Sequence, residues 1–387
     1  MSVTSAMGFT AAGVAAGIKD SGALDLALVV SDGPEVTAAA VTTPNRFAAA
    51  PVYVTREVAA TGRAKAVVLN SGGANACTGE QGMADARHMA ALVAQELGCE
   101  AGEIMVCSTG LIGAFLPMDA VASGIHAAAG SLSGTGGEDA SRAIMTTDTV
   151  PKNAAVSTPA GYTVGGMAKG AGMLNPAMAT MLSVITTDAV VAGEDAQAAL
   201  AAAVDVSFNR MDSDGCQSTN DTVILLASGA SGVAANRQDL TAALTEVCTS
   251  LTKQMLADAE GASHTIAVTV TSAVSEAAAE AAARRVTSSN LFKAAIFGGD
   301  PNWGRILAAI GTLSEAECPY DRDEVTVTMN GQPIFAAGAP QAGAREVDLS
   351  AHDVDVTIDL AAGSARATVW TNDLTHDYVE ENSAYSS

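Results

Sequence analysis

The sequence predicts a mixed α/β or α+β protein with a large first domain and a smaller second one. Three observations predict it. Hydrophobic residues fill 49% of the 387 positions against 16% charged, the balance of a folded chain with one large core or two. Short β-like runs alternate with stretches whose apolar residues recur at helical spacing. From about Ala273 that alternation gives way to one alanine-rich helix and then separated strands. The main domain is therefore expected at about 1–275 and the smaller one at about 276–387.

In chain order, residues 26–30, 52–55 and 66–70 read as strands. The third runs into NSGGANACTG (70–79), a polar glycine-rich loop that is either a plain turn or a backbone-lined pocket wall. A helix follows over 81–97, with Met89, Leu92, Val93 and Leu97 on one face. A strand at 104–106 enters CSTGLIG (107–113), and 117–128 reads as helical. GSLSGTGG (130–137) has the composition of a mobile linker. TTDTVPK (146–152) precedes strands at 154–157 and 162–165. Further on, 194–206 and 238–257 read as helices and 223–227 and 265–271 as strands. The last part carries FGGDPNWGR (297–305) and strands near 325–329, 354–358 and 367–370. No internal repeat is present.

The formal net charge is −23, from 19 basic and 42 acidic residues. That argues against nucleic acid, whose affinity rests on Lys and Arg against phosphates, and against an anionic membrane surface. A few local cations could still hold a small anion. Aromatic residues make up only 4%, so alanine and glycine are expected to set close packing between elements. The six cysteines (Cys77, Cys99, Cys107, Cys216, Cys248, Cys318) are scattered without a Cys-x-x-Cys pair and read as reduced thiols. Five isolated histidines give no ligand spacing, so no metal is expected. The N-terminal stretch has neither the basic start nor the continuous apolar run of a signal peptide, and no span reads as transmembrane. The expected location is the cytoplasm.

The chemistry concentrates in KGAGMLNPAMATMLSVITTDA (169–189). Lys169 opens a glycine run, Asn175-Pro176 turns the chain, and small Ala177 and Ala179 lead to Thr180 and the apolar run 181–185. An internal threonine is a poor nucleophile because its own nitrogen is an amide. Breaking the Ala179–Thr180 bond would turn that nitrogen into an α-amine, with an ordinary pKa of about 7.7–8.0. Nucleophile and base would then sit on one residue. The same hydroxyl can make the cut, by attacking the Ala179 carbonyl to give an ester that water hydrolyses. The plain alternative is a threonine capping the segment behind it.

Acyl transfer also needs donors aimed at the developing oxyanion. Thr109-Gly110, directly after a strand, offers a hydroxyl and a backbone N–H, although Ser-Thr-Gly turns are common. Lys169 could bind a carboxylate or depress the new amine; alternatively it is a solvated loop lysine. Glu260, in the loop DAEGAS, could meet a substrate ammonium or be a surface acid. Asn382 and the terminal carboxylate of Ser387 could close a pocket, or fray. Two decoys stand beside these. Asp212-Ser213-Asp214-Gly215 with Asp221 resembles part of a calcium loop but lacks the distal glutamate spacing. DPNWGR (300–305) could hold an anion through Arg305, or form a packed turn around Trp303.

Taken together, these segments resemble the glutamate/ornithine N-acetyltransferase family of arginine biosynthesis, bifunctional or monofunctional. The resemblance spans nearly the whole chain in order: GFTAAGVAAGIK (8–19), NSGGANACTG, CSTGLIG, TTDTVPK, the stretch at 169–189, STNDT (218–222), DAEGAS, DPNWGRI and ENSAYSS (381–387). It implies a layered α/β sandwich, superficially like N-terminal-nucleophile hydrolases but differently connected, with a smaller C-terminal α/β domain. It implies autocleavage into chains 1–179 and 180–387 that stay together in an α2β2 heterotetramer. It implies that Thr180 accepts the acetyl group of N2-acetylornithine as an ester and passes it to glutamate in a ping-pong cycle. Thr109 and Gly110 match the oxyanion pair. Thr146, Lys169, Thr180, Glu260, Asn382 and Ser387 match the substrate-contacting positions. No cofactor is implied, and acetyl-CoA as a second acetyl donor stays open. Three departures stand out: Ala177 and Gly73 where asparagine is frequent, and Ser263-His264 for a frequent Thr-Lys. The competing reading is a threonine amidase or aminopeptidase of the related self-processing fold, in which water resolves the acyl-enzyme.

Overall fold

The computed structural model describes residues 1–173 and 181–384, in two compact units. One comprises Met1–Asn209 with Gln217–Met255; the other comprises Arg210–Cys216 and the chain from Leu256 onward.

The first unit begins with β1 (Phe9–Val14), β2 (Leu26–Ser31), β3 (Thr37–Thr42), α1 (Ala50–Ala59) and β4 (Ala66–Gly73). Then come α2 (Gly79–Leu97), β5 (Ile104–Leu111), α3 (Met118–Gly130), α4 (Gly137–Ala143), β6 (Lys152–Ser157) and β7 (Thr163–Lys169). β8 (Leu182–Thr187), α5 (Gly193–Asp205), β9 (Thr222–Ala227) and α6 (Arg237–Ala257) complete it. Two sheets form, of order β1-β2-β4-β5 and β3-β9-β8-β7-β6. In the first, only β4 and β5 run parallel; in the second, only β8 and β9 do.

Strand periodicity explains the layering. Ala27, Val29, Val67, Leu69, Met105 and Cys107 point from the first sheet into one core with Met167, Leu182, Val184, Ile224 and Leu226 of the second. The alternate residues Leu26, Leu28, Val68, Ile104 and Val106 face outward, against Met89 and Val93 of α2 and Val121 and Ile125 of α3. On the second sheet's outer face, Gly166 brings the backbone close to Ile185 and to Val247 and Leu251 of α6. The unit is an α–β–β–α layered sandwich, the architecture the resemblance implies.

Several local expectations change. Residues 52–55, expected as a strand, lie inside α1. The run Val52-Tyr53-Val54-Thr55 favours strand by composition. Pro51 in the first helical turn lacks an N–H that needs no partner there, and Thr55 Oγ1 donates to Val106 O of β5 at 2.8 Å. Nor is 130–137 a loose linker. Ser133 exchanges two backbone hydrogen bonds with Ala11, at 3.0 and 3.1 Å, and a Cβ on Gly136 would strike Ala11 O at 1.8 Å. The run 181–185 leads into β8 (Leu182–Thr187), an interior strand of the second sheet.

The second unit contains β10 (Thr265–Ala273), α7 (Glu276–Thr287), α8 (Asn290–Phe297), α9 (Trp303–Ile310), β11 (Thr326–Met329) and β12 (Gln332–Ala336). β13 (Ala339–Pro340), β14 (Asp353–Asp359), β15 (Ala365–Asn372) and α10 (His376–Ala384) follow. Its sheet runs β13-β12-β11-β14-β10-β15. Ile266, Val268 and Val270 of β10 pack under Ala279, Ala282, Ala283 and Val286 of α7, where small side chains permit close approach. Ser275 caps α7 by accepting the Ala278 N–H at 3.2 Å. The long segment of this unit starts at Leu256, ahead of the expected 276, and it takes in β10, an interior strand of the sheet. Trp303 opens α9 and stacks on Phe335 at 5.3 Å, and Arg305 is spent on the Leu291 carbonyl. All six cysteines are free thiols.

Candidate active site

Thr109 and Gly110 lie near the end of β5. Alternation puts Thr109 on the face of Met105 and Cys107, turned toward the second sheet. On β7 the same rule puts Lys169 beside Met167 on the facing surface. The two side chains meet: Lys169 Nζ donates to Thr109 Oγ1 at 3.5 Å, and both residues are buried. Lys169 is thus no solvated loop lysine.

Gly110 has φ of +129°, and a Cβ there would come within 2.5 Å of the Gly72 carbonyl carbon and 2.6 Å of the Gly73 nitrogen. Only glycine fits so close to another backbone. The loop 70–79 is what approaches it. Asn70 Nδ2 donates to Gly73 O at 3.0 Å, Ser108 Oγ donates to Asn70 Oδ1 at 2.6 Å, and Ala74 N–H donates to Leu111 O at 2.9 Å. The loop's polar side chains hold its own backbone against β5. Gly73 itself lies against Leu116, where a Cβ would come within 2.8 Å of that side chain.

Lys169 has a counterion that sequence reading missed. Asp148 lies 2.6 Å from Lys152 Nζ and 3.9 Å from Lys169 Nζ, and all three are buried. Its carboxylate also accepts the N–H groups of Thr146 at 2.9 Å and Gly170 at 2.7 Å. Burial alone would push this carboxyl up. Lys169 and Lys152, with hydrogen bonds from Lys152 and the Thr146 N–H, outweigh that and hold it at about 2. Thr146 therefore joins the cluster through its backbone. Nearby, Lys19 donates to Met145 O at 2.7 Å, and burial, with Lys169 adding to it, lowers its pKa against the pull of Asp25 and Asp148. Asp25 accepts four successive N–H groups, from Ala16 to Lys19, which fixes the GVAAGIK turn.

Ala177, Ala179 and Thr180 lie outside the described residues, and so does Ser387. Met181, directly after Thr180 in sequence, donates its N–H to Asp221 Oδ1 at 3.0 Å. Asp221 is fully buried, which raises its carboxyl well above the ordinary range against the Met181 N–H, Lys169 and Ser218. It belongs to the first unit, whereas Asp212 and Asp214 belong to the second. Among the described residues no group of three or more His, Cys, Asp or Glu could hold a metal ion.

Glu260 and Asn382 are both in the second unit. Glu260 is buried and lines a cavity of about 80 Å³ with Asp212, Asp214, Lys293 and Tyr378. The Tyr378 hydroxyl is pushed up to about 12, first by burial and then by Asp214 and Glu260. Asn382 is exposed on α10 and donates to Tyr378 O one turn back, at 3.1 Å. The departure Ser263-His264 has local partners. Both backbone N–H groups donate to Asp373 Oδ1 at 2.9 Å, and His264 Nδ1 lies 2.8 Å from Asp373 Oδ2.

The structure thus brings Thr109, Gly110, Thr146 and Lys169 together. The sequence reading missed Asp148 and Lys152, and took up Asp221 only as part of the calcium-loop decoy. The signal available was that each sits inside TTDTVPK or STNDT, polar strings placed directly before strands.

Known proteins resemble the chain along its length. A model described as the ArgJ family matches residues 10–387. The arginine biosynthesis bifunctional protein ArgJ of Bifidobacterium longum is 54% identical over 391 residues, covering 100% of both chains. That of Thermobifida fusca is 54% identical over 387 residues, again covering 100% of both. Among solved structures, ornithine acetyltransferase complexed with ornithine from Mycobacterium tuberculosis is 55% identical. It covers 45% of this chain and 94% of that one, with a TM-score of 0.45.

Proposed function

Since the chain belongs to the ArgJ family, we propose that it moves the acetyl group of N2-acetylornithine to glutamate through an ester on Thr180, in arginine biosynthesis. The Thr180 hydroxyl first attacks the Ala179 carbonyl, the C–N bond breaks, and the released nitrogen takes a proton. Water hydrolyses the ester, leaving an Ala179 carboxylate and a free Thr180 α-amine and hydroxyl. That amine, neutral in useful part near neutral pH, takes the hydroxyl proton as Thr180 Oγ attacks the acetyl carbonyl. Ornithine leaves with the proton, and the glutamate amine then attacks the acetyl ester and restores the hydroxyl. The oxyanion of each tetrahedral intermediate is held by Thr109 Oγ1 and the Gly110 N–H.

One observation carries this reading. Thr109 faces the second sheet with Lys169 on its hydroxyl, in the unit where β8 begins two residues after Thr180. Thr146 and Lys169 offer binding groups to substrate, as do Glu260, Asn382 and Ser387; Glu260 suits the ammonium of ornithine. The two pieces stay paired in an α2β2 assembly in the cytoplasm, without a cofactor. Acetyl-CoA as a second donor to glutamate extends the same ester chemistry.

Intact-mass analysis after brief exposure to acetylornithine tests the reading in one measurement. The expected result is two pieces, the second beginning TMLSV and carrying one acetyl group that glutamate removes. A single active, unbroken chain contradicts it, and acetate release indifferent to glutamate favours a hydrolase. Thr109→Ala removes one oxyanion donor and is expected to cost roughly 3–4 kcal/mol of transition-state stabilisation, with the unfolding midpoint little changed. A fall in kcat of less than about tenfold takes Thr109 out of the mechanism.

A further inference from the structure

Oxyanion donors on β5 and the start of β8 belong to different sheets. Among the described residues no strand ladder sets their relative position, so other contacts must. We infer that Asn220 and Asp221 are positioning residues that clamp the oxyanion strand to the start of β8 across the two sheets. This rests on the acetyl-transfer reading above and adds two residues to it.

Asn220 is 3% exposed and spends both amide hydrogens on the first sheet's side. Its Nδ2 donates to Ser108 O at 2.8 Å and to Ala74 O at 2.6 Å. The Ser108 carbonyl shares a rigid peptide plane with the Thr109 N–H, so this bond orients the backbone immediately before the oxyanion pair. The Ala74 carbonyl directly follows Gly72 and Gly73, the loop backbone that packs against Gly110.

The next residue grips the other sheet. Asp221 Oδ1 accepts the Met181 N–H at 3.0 Å, and the Thr222 N–H donates to Met181 O at 3.2 Å. Both polar groups of the Met181 backbone are therefore held by consecutive residues of one segment. That segment is itself pinned, because Thr43 N–H donates to Asp221 O and Ala49 N–H donates to Thr219 O, each at 2.9 Å. Asp221 Oδ2 is buried and takes no hydrogen bond among the described residues. Burial favours a neutral carboxyl, which an asparagine imitates in shape and as an acceptor.

The test uses the full-length chain and scores kcat per acetylatable site, with the rate of cleavage at 179–180 alongside. Asn220→Ala is expected to lower both by roughly 10- to 100-fold, the cost of ångström-scale misplacement, with KM for acetylornithine within about twofold. Combined with Thr109→Ala, its effect on kcat should shrink markedly, since it acts through that donor. Asp221→Ala should resemble Asn220→Ala, while Asp221→Asn recovers most of the loss. Losses that multiply independently in the double variant overturn the proposal, as does an Asp221→Asn as impaired as Asp221→Ala. If Asn220→Ala does not fold, the Asp221 pair decides alone. A wild-type chain that is neither cut nor able to transfer acetyl overturns the acetyl-transfer reading and the clamp together. With wild type cut and active, the variants judge the clamp by itself.

Discussion

Thr180→Ala is expected to run as a single band on a denaturing gel where the parent chain should give two, and to lose acetyl transfer. In the proposed scheme, removing the hydroxyl removes the agent of cleavage, and without cleavage the residue has no α-amine to act as base. The expected fall in transfer is on the order of 10⁴-fold or more, as for removal of other covalent nucleophiles. Thr180→Ser keeps a hydroxyl and an α-amine and should cut at the same bond, more or less slowly. The observation against the scheme is specific: Thr180→Ala still splitting between residues 179 and 180. Cleavage elsewhere would speak only of a protease.

Asp148→Asn has the second largest expected effect, chiefly on stability. Two buried lysines share this carboxylate. With a neutral amide in its place, Lys152 and Lys169 lose this counterion, and breaking a buried pair this way costs roughly 3–5 kcal/mol. The pH dependence follows from linkage. The Asp148 carboxyl sits at about 2 in the folded protein, below its ordinary 3.8. Its stabilisation is therefore fully present above about pH 3.8 and is lost as pH falls through about 2. Denaturant unfolding of both proteins should show a gap that is wide near neutral pH and closes in acid. A gap that stays constant would mean the carboxylate's charge is not what stabilises the cluster. Transfer should fall as well, because Lys169 loses the group that aims it at Thr109.

Local features were legible in the sequence where short-range chemistry decides them. The helices at 81–97 and 238–257 declare themselves through period, and Thr109-Gly110 through a polar turn after an apolar run. The 52–55 run misleads because β-branched residues favour a strand until packing on β5 decides otherwise. β1, at 9–14, escaped because its alanine and glycine residues carry almost no periodic signal. The Asp148 cluster was hidden for another reason. Asp148 and Lys152 are close in sequence, but Lys169 joins them only through the β6–β7 pairing, in which Lys152 lies opposite Ala168. The clamp at Asn220 and Asp221 needed still more, the docking of two sheets. Pairings between distant segments leave no trace in spacing, so they had to be seen.

The strand order of the second sheet has a consequence for how the protein must be made. Reading across it, β3 comes from before residue 179, β9 and β8 from after it, and β7 and β6 again from before. A break ahead of β8 would leave the two polypeptides laced together along two ladders, from Thr37↔Ala227 to Thr42↔Thr222 and from Val164↔Thr187 to Lys169↔Leu182. Neither polypeptide owns the whole of this sheet, and each alone would bare apolar strand edges of the kind that aggregate. If the proposed scission occurs, folding must come first: halves synthesised apart should collect as insoluble material, while the same halves born as one chain and then parted should remain a working pair.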